Sequence, residues 1–339
     1  MSIPYHLRQN KAVDRNIFLD ILKKISRHKK ISDYAYIGFG GAFLKDFKDI
    51  HVSLDIEEMH SIELEEWIYK RQALNSPVSC IQYHHMHSQE FISEKVDDIV
   101  DRKNIIIWLD YVTSNIGEQM AELSELVTKL SAGDIVRVTL NASTSQFNSV
   151  AQTEIYFDEE TNECKPLKLS HEQILNNRLE AFKEKVSLPS NMEANDLSDD
   201  NYCNIGLVKL LKHTVNSAKP SNLKVLPLGF YRYKDGATML TVTFILIDRH
   251  QDEQYFYDST ELSGWPLKTN DFDSKPFHIN MPVISAVEKA QIDSNFPLND
   301  VRNIDIPFQL DKKQTKSAKM LEDYGKYYKY FPTFSKVEF

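Results

Sequence analysis

Residues 34–47 read YAYIGFGGAFLKDF, an apolar segment that meets a glycine-rich turn and continues into an amphipathic pattern. The chain has 10 glycines in 339 residues, and Gly38, Gly40 and Gly41 all fall within this one turn. Glycine allows backbone to approach a ligand closely and to adopt a left-handed conformation. A helix that begins at about residue 42 would present unpaired amides and the positive end of its dipole. The stretch predicts a strand, a nucleotide-binding turn and a helix, and a purely structural turn is the alternative.

The composition is that of an ordinary globular protein, with 42% hydrophobic and 26% charged residues. No apolar run approaches the roughly 20 residues needed to cross a bilayer, and the amino-terminal residues lack the apolar core of a signal peptide. Cys80, Cys164 and Cys203 lie far apart and form no C-x-x-C pair, so we predict neither a disulfide framework nor a metal site. We therefore expect a cytoplasmic protein with no membrane partner.

The formal net charge of −9 argues against sequence-independent binding to nucleic acid, which requires a basic face. Two local basic segments remain, at residues 23–30 and 312–329. We expect each of them to be a solvated helix face, so nucleic acid is an open partner class that the overall charge does not favour. A protein partner is also left open.

The first 141 residues alternate between strand and helix patterns. A helix is predicted over residues 13–25, before the glycine turn, and further strands are predicted at residues 59–64, 78–83, 104–110 and 134–141. The segment 104–110 is nearly all apolar, as expected for a strand with helices on both faces of its sheet. Five strand and helix alternations predict a parallel, doubly wound α/β sheet.

The pattern changes after residue 142. Residues 143–200 are polar, with one predicted helix at 171–185, and two later strands at 223–233 and 238–248 flank Asp235-Gly236, a strong hairpin signal. The aromatic residues between Tyr324 and Phe334 are expected to pack in the core or in an interface. The predicted parts are residues 1–142, the first half of a Rossmann-like domain; 143–200, an insertion that could cap the substrate; 201–248, the rest of that domain; and 249–339, a carboxy-terminal extension.

This order of elements, with a glycine turn after the first strand and a closing antiparallel hairpin, resembles the class I S-adenosylmethionine-dependent methyltransferases over roughly residues 13–248. The resemblance implies a mostly parallel, doubly wound sheet of seven strands and S-adenosylmethionine as cofactor. An NAD-type dehydrogenase would share the first half, and the closing hairpin favours the methyltransferase fold. The resemblance also implies that Gly38, Phe39, Gly40 and Gly41 hold the methionine end of the cofactor.

Two further positions match the cofactor-binding pattern of this family. Glu63 ends the second predicted strand, where a carboxylate can accept hydrogen bonds from both ribose hydroxyls, although acids there also suit the start of a helix. His85 lies in the sequence His84-His85-Met86-His87, where the family contacts adenine. Neighbouring residues in an extended segment point to opposite faces, which argues against a metal at these histidines.

Leu109-Asp110-Tyr111 ends the fourth predicted strand and looks like a degenerate relative of the Asp/Asn-Pro-Pro-Tyr motif of amino-group methyltransferases. The resemblance implies that Asp110 orients or deprotonates the methyl acceptor and that Tyr111 stacks on it. The alternative role for Asp110 is to cap the following loop. We predict an S-adenosylmethionine-dependent methyltransferase with an unassigned acceptor. The other readings are a Rossmann-type binding or regulatory subunit without transfer activity, and a nucleic-acid methyltransferase.

Overall fold

The structure is a computed structural model that describes residues 8–147, 153–158, 163–298 and 304–332. Its strands are β1 (Ala35–Gly38), β2 (Glu58–Glu63), β3 (Ile81–His85), β4 (Ile105–Asp110), β5 (Ile135–Asn141), β6 (Thr153–Asp158), β7 (Glu163–Lys168), β8 (Leu223–Lys234), β9 (Thr238–Asp248) and β10 (Phe277–Ile279). Its helices are α1 (Gln9–Ile25), α2 (Lys45–Leu54), α3 (Glu66–Leu74), α4 (Ser88–Glu94), α5 (Val96–Val100), α6 (Ile116–Lys129), α7 (His171–Lys183), α8 (Asp200–Ala218), α9 (Glu253–Ser259), α10 (Ala286–Asp293) and α11 (Gln314–Tyr327).

The main sheet has the strand order β3-β2-β1-β4-β5-β9-β8-β10. Strands β1 to β5 are mutually parallel, β9 is antiparallel to β5 and β8, and β10 is parallel to β8. The order in which successive strands are added to the sheet reverses between β1 and β4, which opens a crevice at the carboxyl ends of these two parallel strands. The doubly wound, mostly parallel sheet with its closing hairpin is confirmed. The extension adds an eighth strand, β10, whose three residues are too few to show a period in the sequence.

Helices cover both faces of the sheet, and β4 shows how the core is divided. Ile105, Ile107 and Leu109 enter a cluster with residues of α4, α5, α6 and α8. Ile106 and Trp108 enter a second cluster with residues of α1, α2, α9 and α11. Successive side chains of a strand point to opposite faces of the sheet, and helices cover both faces here. The odd- and the even-numbered residues of β4 must therefore both be apolar.

A buried ion pair fastens α1 to the sheet. Arg137 on β5 donates to Asp14 on α1, and both side chains are 0% exposed. Arg137 also donates to Thr243 Oγ1 over 2.8 Å, and Thr241 Oγ1 donates to Asp14 Oδ1 over 2.8 Å. Buried charges are tolerated only when such partners satisfy them, so this network fixes where α1 lies on the sheet.

The insertion and the extension both pack on the Rossmann-like domain. In the insertion, β6 and β7 pair as a separate hairpin, whereas Phe147, Phe182 and Leu197 join the core cluster that contains residues of β4, α6 and α8. In the extension, Tyr324, Tyr327 and Phe331 are buried, so the packing role predicted for these aromatic residues is confirmed. Position 334 lies outside the described residues, and the role of the insertion as a substrate cap stays a prediction.

Replacing Asp14 with asparagine should strongly destabilise the protein, because it leaves the Arg137 guanidinium buried without a counter-ion. We expect the free energy of unfolding in urea to fall by about 3–5 kcal/mol. The control is Arg27→Ala, which removes an exposed pair with Glu261 and should cost no more than about 1 kcal/mol. Similar losses in the two variants would show that the buried pair does not anchor α1.

Candidate functional site

The carboxyl ends of β1, β2, β3 and β4 meet at one edge of the sheet. Gly38 lies opposite Ser61 in the register with β2 and opposite Trp108 in the register with β4. Glu63 lies opposite His85. The structure thus brings the glycine turn, Glu63, His85 and Asp110 to neighbouring strand ends. We call this edge, formed by residues 38–41, 63, 85 and 110, the crevice.

Packing as well as backbone conformation requires glycine in the turn. A Cβ on Gly40 would lie 2.4 Å from both Leu44 Cδ2 and Ser61 Oγ, and Gly41 has a φ of 52°. The Leu44 amide donates to the Gly40 carbonyl over 3.1 Å, and Leu44 itself has a φ of 51°. The predicted strand, turn and helix are present. The helix begins at residue 45 and not at about 42, because this second tight turn intervenes.

Two polar side chains support the glycine turn, one from α3 and one from Asn75, the residue that follows α3. Ser61 Oγ donates to Gln72 Oε1 over 3.1 Å, and Asn75 Nδ2 donates to the Ala42 carbonyl over 2.7 Å. Gln72 is the one buried residue of α3, whereas Trp67 and Leu74, which a hydrophobic pattern would place in the core, are 59% and 86% exposed. Sequence reasoning missed the bracing role of Gln72, because a glutamine on an otherwise mixed helix gives no local signal.

Glu63 is half-buried at the end of β2. Its Oε1 accepts the Glu65 amide over 3.0 Å. Burial raises the pKa of the Glu63 carboxyl above its usual value, and the amides of Glu65 and Leu64 oppose that rise. On the adjacent strand, His85 is exposed, contacts the Leu64 carbonyl through Nε2 at 3.0 Å and stacks on Tyr69 with centroids 5.1 Å apart. The ribose and adenine roles of Glu63 and His85 stay predictions.

The neighbouring His84 points to the other face of the sheet, as the alternation along a strand requires. Its Nε2 lies 3.1 Å from His60 Nδ1, and the two rings stack next to Phe91. Burial lowers the pKa of His84 to about 4, so this imidazole is neutral at physiological pH. Within the described ranges, no group of three or more His, Cys, Asp or Glu side chains could hold a metal ion.

Asp110 forms an ion pair with Lys11 of α1, with Nζ and Oδ2 2.9 Å apart. Burial alone would raise the pKa of Asp110, but the Lys11 ammonium and the Arg15 guanidinium lower it below its usual value. The second oxygen, Oδ1, is shielded from solvent and makes no hydrogen bond of standard geometry with any described residue. Sequence reasoning missed Lys11, since 99 positions separate it from Asp110.

Tyr111 lies on the opposite face from Asp110, so the structure does not bring these two side chains together. The Tyr111 hydroxyl donates to Glu122 Oε2 over 2.7 Å, and the ring packs edge-on against Phe39 with centroids 5.8 Å apart. Burial and the Glu122 carboxylate raise the pKa of Tyr111 well above its usual value. The phenol is engaged by α6, because adjacent residues of a strand point to opposite faces. Its stacking on an acceptor stays a prediction.

The basic segments noted in the sequence are largely engaged with other side chains. In the first segment, Arg27 pairs with Glu261, and Lys30 lies 2.9 Å from Asp33. In the second, the ion pairs are Lys316 with Asp311, Lys319 with Glu322 and Asp323, and Lys326 with Asp323. A cavity of about 620 Å³ lies at the amino ends of β1 and β4, away from the crevice, and is lined by residues 29, 30, 32–34, 57 and 102–104.

The strand order, the glycine turn after β1 and the acidic residue at the end of β2 together define a class I methyltransferase fold. A family model described as "Putative O-methyltransferase" matches residues 3–339, and the chain belongs to this family. The prediction of a methyltransferase with an unassigned acceptor is therefore confirmed at the level of the family. A comparison with curated proteins finds no match.

Solved structures with a related fold include several methyltransferases. The N-methyltransferase NodS from Bradyrhizobium japonicum is 7% identical, with 70% of this chain and 97% of NodS covered and a TM-score of 0.36. Trm1 from Pyrococcus horikoshii, solved with S-adenosyl-L-methionine, is 12% identical, with 92% and 75% covered and a TM-score of 0.42. The plantazolicin methyltransferase BamL is 10% identical, with 71% and 87% covered and a TM-score of 0.42. Such distant likeness says nothing about the acceptor of this chain.

Substituting Gly40 with alanine should disturb the turn, because the added methyl group would collide with Leu44 and Ser61. We expect the free energy of unfolding to fall by about 1–3 kcal/mol, as for other overpacked sites. The control is Gly264→Ala, where nothing lies within 4 Å of the added Cβ, and that variant should be as stable as the parent within about 1 kcal/mol. Chemical denaturation measures both. A free energy of unfolding that is the same in Gly40→Ala as in the parent would contradict the predicted collision.

Proposed function

We propose that this chain transfers a methyl group from S-adenosylmethionine to an oxygen atom of an acceptor. The observation that carries the proposal is the meeting of the glycine turn and the Glu63 carboxylate at adjoining strand ends. Membership of the O-methyltransferase family supports oxygen as the accepting atom. When bound, S-adenosylmethionine would supply a methyl group that is already activated by its sulfonium.

The residues of the crevice fit this cofactor. Helix α2 begins at Lys45, after the second tight turn, with no side-chain cap, and Asp46 in its first turn is engaged by Arg15 at 2.6 Å. Its first amides are therefore suited to the carboxylate of the methionine portion. Glu63, half-buried and accepting through Oε1, has capacity left for ribose hydroxyls. His85 would lie beside the adenine.

The state of Asp110 bears on the kind of acceptor. With its pKa lowered by Lys11 and Arg15, Asp110 is a carboxylate at neutral pH and a weak base. Tyr111, with its raised pKa and its bond to Glu122, is not tuned as a base either. A general base works best with a pKa near the working pH. We therefore infer an acceptor oxygen that is itself acidic and ionises without a base, such as a carboxylate, phenol or enol. The Asp110 carboxylate would help to orient the acceptor through a separate hydrogen-bond donor group of that molecule.

The state of the cysteines bears on the cellular compartment of the protein. Cys80, Cys164 and Cys203 are all free thiols, as is usual in a reducing compartment, which supports a cytoplasmic location that cell fractionation would test. None of the helices in the described ranges combines the length and apolar character needed to cross a bilayer. Because the net charge is −9 and several cations of the two basic segments are paired with acids, a nucleic-acid acceptor is not our proposal.

Calorimetric titration with S-adenosylmethionine tests the cofactor assignment. We expect binding that weakens about 10- to 100-fold in Glu63→Gln, because charged hydrogen bonds to the ribose are lost. The matched control is Glu66→Gln, which alters an exposed acid paired with Lys70 and should leave the affinity unchanged. The raised pKa of Glu63 predicts weaker binding as the pH falls from about 8 to about 5 in the parent and a flatter profile in Glu63→Gln.

Two outcomes would overturn this assignment. One is the absence of heat with cofactor in the high micromolar range, which would favour a Rossmann-type binding or regulatory subunit. The other is an affinity that Glu63→Gln and Glu66→Gln leave equally unchanged.

The acceptor inference is tested by measuring S-adenosylhomocysteine formation with a panel of phenols, carboxylic acids and aliphatic alcohols. We expect turnover with an acidic acceptor, and a fall of about 10²-fold in Asp110→Asn, from lost positioning of the acceptor, while cofactor affinity is retained. Because Asp110→Asn also removes the counter-ion of Lys11, the thermal unfolding of this variant is compared with that of the parent. This comparison shows whether a fall in activity comes from lost stability. Turnover of alcohols alone, or full activity in Asp110→Asn, would contradict the proposed role of Asp110.

A further inference from the structure

A second cavity, of about 330 Å³, lies on the α8 side of the sheet at the end of β8. It is lined by Asn201, Tyr202, Asn204, Ile205, Arg232, Lys275 and Pro276. Strand β8 is three positions in the sheet from β4, the nearest strand of the crevice, roughly 14 Å at about 4.8 Å per strand. The cavity is therefore separate from the crevice, and its contents do not depend on the methyltransferase assignment.

The cavity has two cationic side chains, Arg232 and Lys275; burial lowers the pKa of Arg232, and the nearby Asp199 and Asp200 carboxylates oppose that fall. Arg232 is half-buried and donates to Asn201 Oδ1. Neither Arg232 nor Lys275 forms an ion pair with any residue that the structure describes. His278 is the register partner of Arg232 on β10, and burial and the Arg232 charge lower the pKa of its imidazole, so it adds no positive charge at neutral pH. A partly buried guanidinium with free donors is well suited to a carboxylate or phosphate.

The two acids closest to this cavity, Asp199 and Asp200, accept hydrogen bonds from other groups and form no ion pair with Arg232 or Lys275. Asp199 caps α8 by accepting the amides of residues 201 and 202 over 2.7 and 3.2 Å. Asp200 accepts the Thr144 amide over 2.8 Å and the Thr238 hydroxyl over 2.6 Å, and Lys234 lies 3.7 Å away. The first amides of α8 are therefore already satisfied, and the anion would be held by side chains.

The cavity also contains a buried hydrogen-bond acceptor that has no donor among the described residues, the side-chain oxygen of Asn204. Asn204 is 0% exposed, and its Nδ2 donates to the Asp200 carbonyl, which fixes the orientation of the amide. Its Oδ1 is buried and has no hydrogen-bond partner within the described chain. An unpaired buried oxygen costs about 1–3 kcal/mol, so a ligand that donates a hydrogen bond would be favoured here. The Tyr202 ring, 44% exposed, offers a flat apolar wall.

We propose that this cavity binds a small organic acid, a carboxylate or a phosphate, that also carries a hydroxyl or amine donor and a flat apolar group. Arg232 and Lys275 bind the acidic group, Asn204 accepts from the donor, and Tyr202 packs against the apolar part. The geometry that distinguishes the site is the placement of two cations, neither in an ion pair with a described residue, around a buried amide oxygen that lacks a hydrogen-bond partner.

Matched aromatic probes test each element of this site on the full-length protein by ligand-observed NMR. Mandelate carries a phenyl ring, a carboxylate and a hydroxyl; phenylacetate lacks the hydroxyl, and benzyl alcohol lacks the carboxylate. We expect mandelate to bind several-fold more tightly than phenylacetate and at least about tenfold more tightly than benzyl alcohol. Phenyl phosphate in parallel shows whether a phosphate or a carboxylate is preferred.

Variants locate the binding to this cavity. Arg232→Gln should weaken mandelate or phenyl phosphate at least about tenfold. Lys275→Gln, at an exposed position that cannot disturb the fold, should weaken them several-fold. Arg249→Gln is the control, because this exposed arginine follows β9 at the opposite edge of the sheet. Binding of neither anionic probe, equal binding of benzyl alcohol, or unchanged affinity in both cavity variants would overturn the proposal. Equal affinity for mandelate and phenylacetate would overturn the role of Asn204.

Discussion

The buried, charged face of α1 is the constraint on which the rest of this structure depends. Lys11, Asp14 and Arg15 lie at helical spacing and point into the protein, each toward an oppositely charged side chain of a different element. The partners are Asp110 at the end of β4, Arg137 in the middle of β5 and Asp46 in the first turn of α2. A buried charge that loses its partner costs several kcal/mol, so α1 can dock in only one position.

This docking links the stability of the fold to the chemistry of the crevice. The contact of Lys11 with Asp110 keeps the acid at the end of β4 ionised, and the contact of Arg15 with Asp46 holds the start of α2, a few residues after the glycine turn. The same helix therefore positions both the residues suited to the cofactor and the carboxylate suited to the acceptor. An apolar helix of the same length would cover the sheet but would leave Asp110 with a raised pKa.

The glycine turn shows a related dependence on packing. Gly40 is required less for an unusual backbone conformation than for its close approach to β2, where Ser61 and Gln72 leave no room for a side chain. This tight contact explains why α3 turns a glutamine inward and leaves Trp67 and Leu74 exposed. The face of α3 that is buried is therefore set by its contact with the glycine turn, and not by the positions of its hydrophobic residues.

Local signals determined much of the molecule from the sequence alone. The order of strands and helices, the turn at residues 38–41, the place of Glu63 and the closing hairpin all rest on periodicity and turn chemistry, which act between near neighbours. Only the tertiary structure decided that Asp110 is paired with Lys11, that Tyr111 is engaged by Glu122 on the other face, and that β10 extends the sheet. The physical reason is distance along the chain: these contacts form only when remote segments pack, and no local pattern encodes which charge or strand edge will meet which.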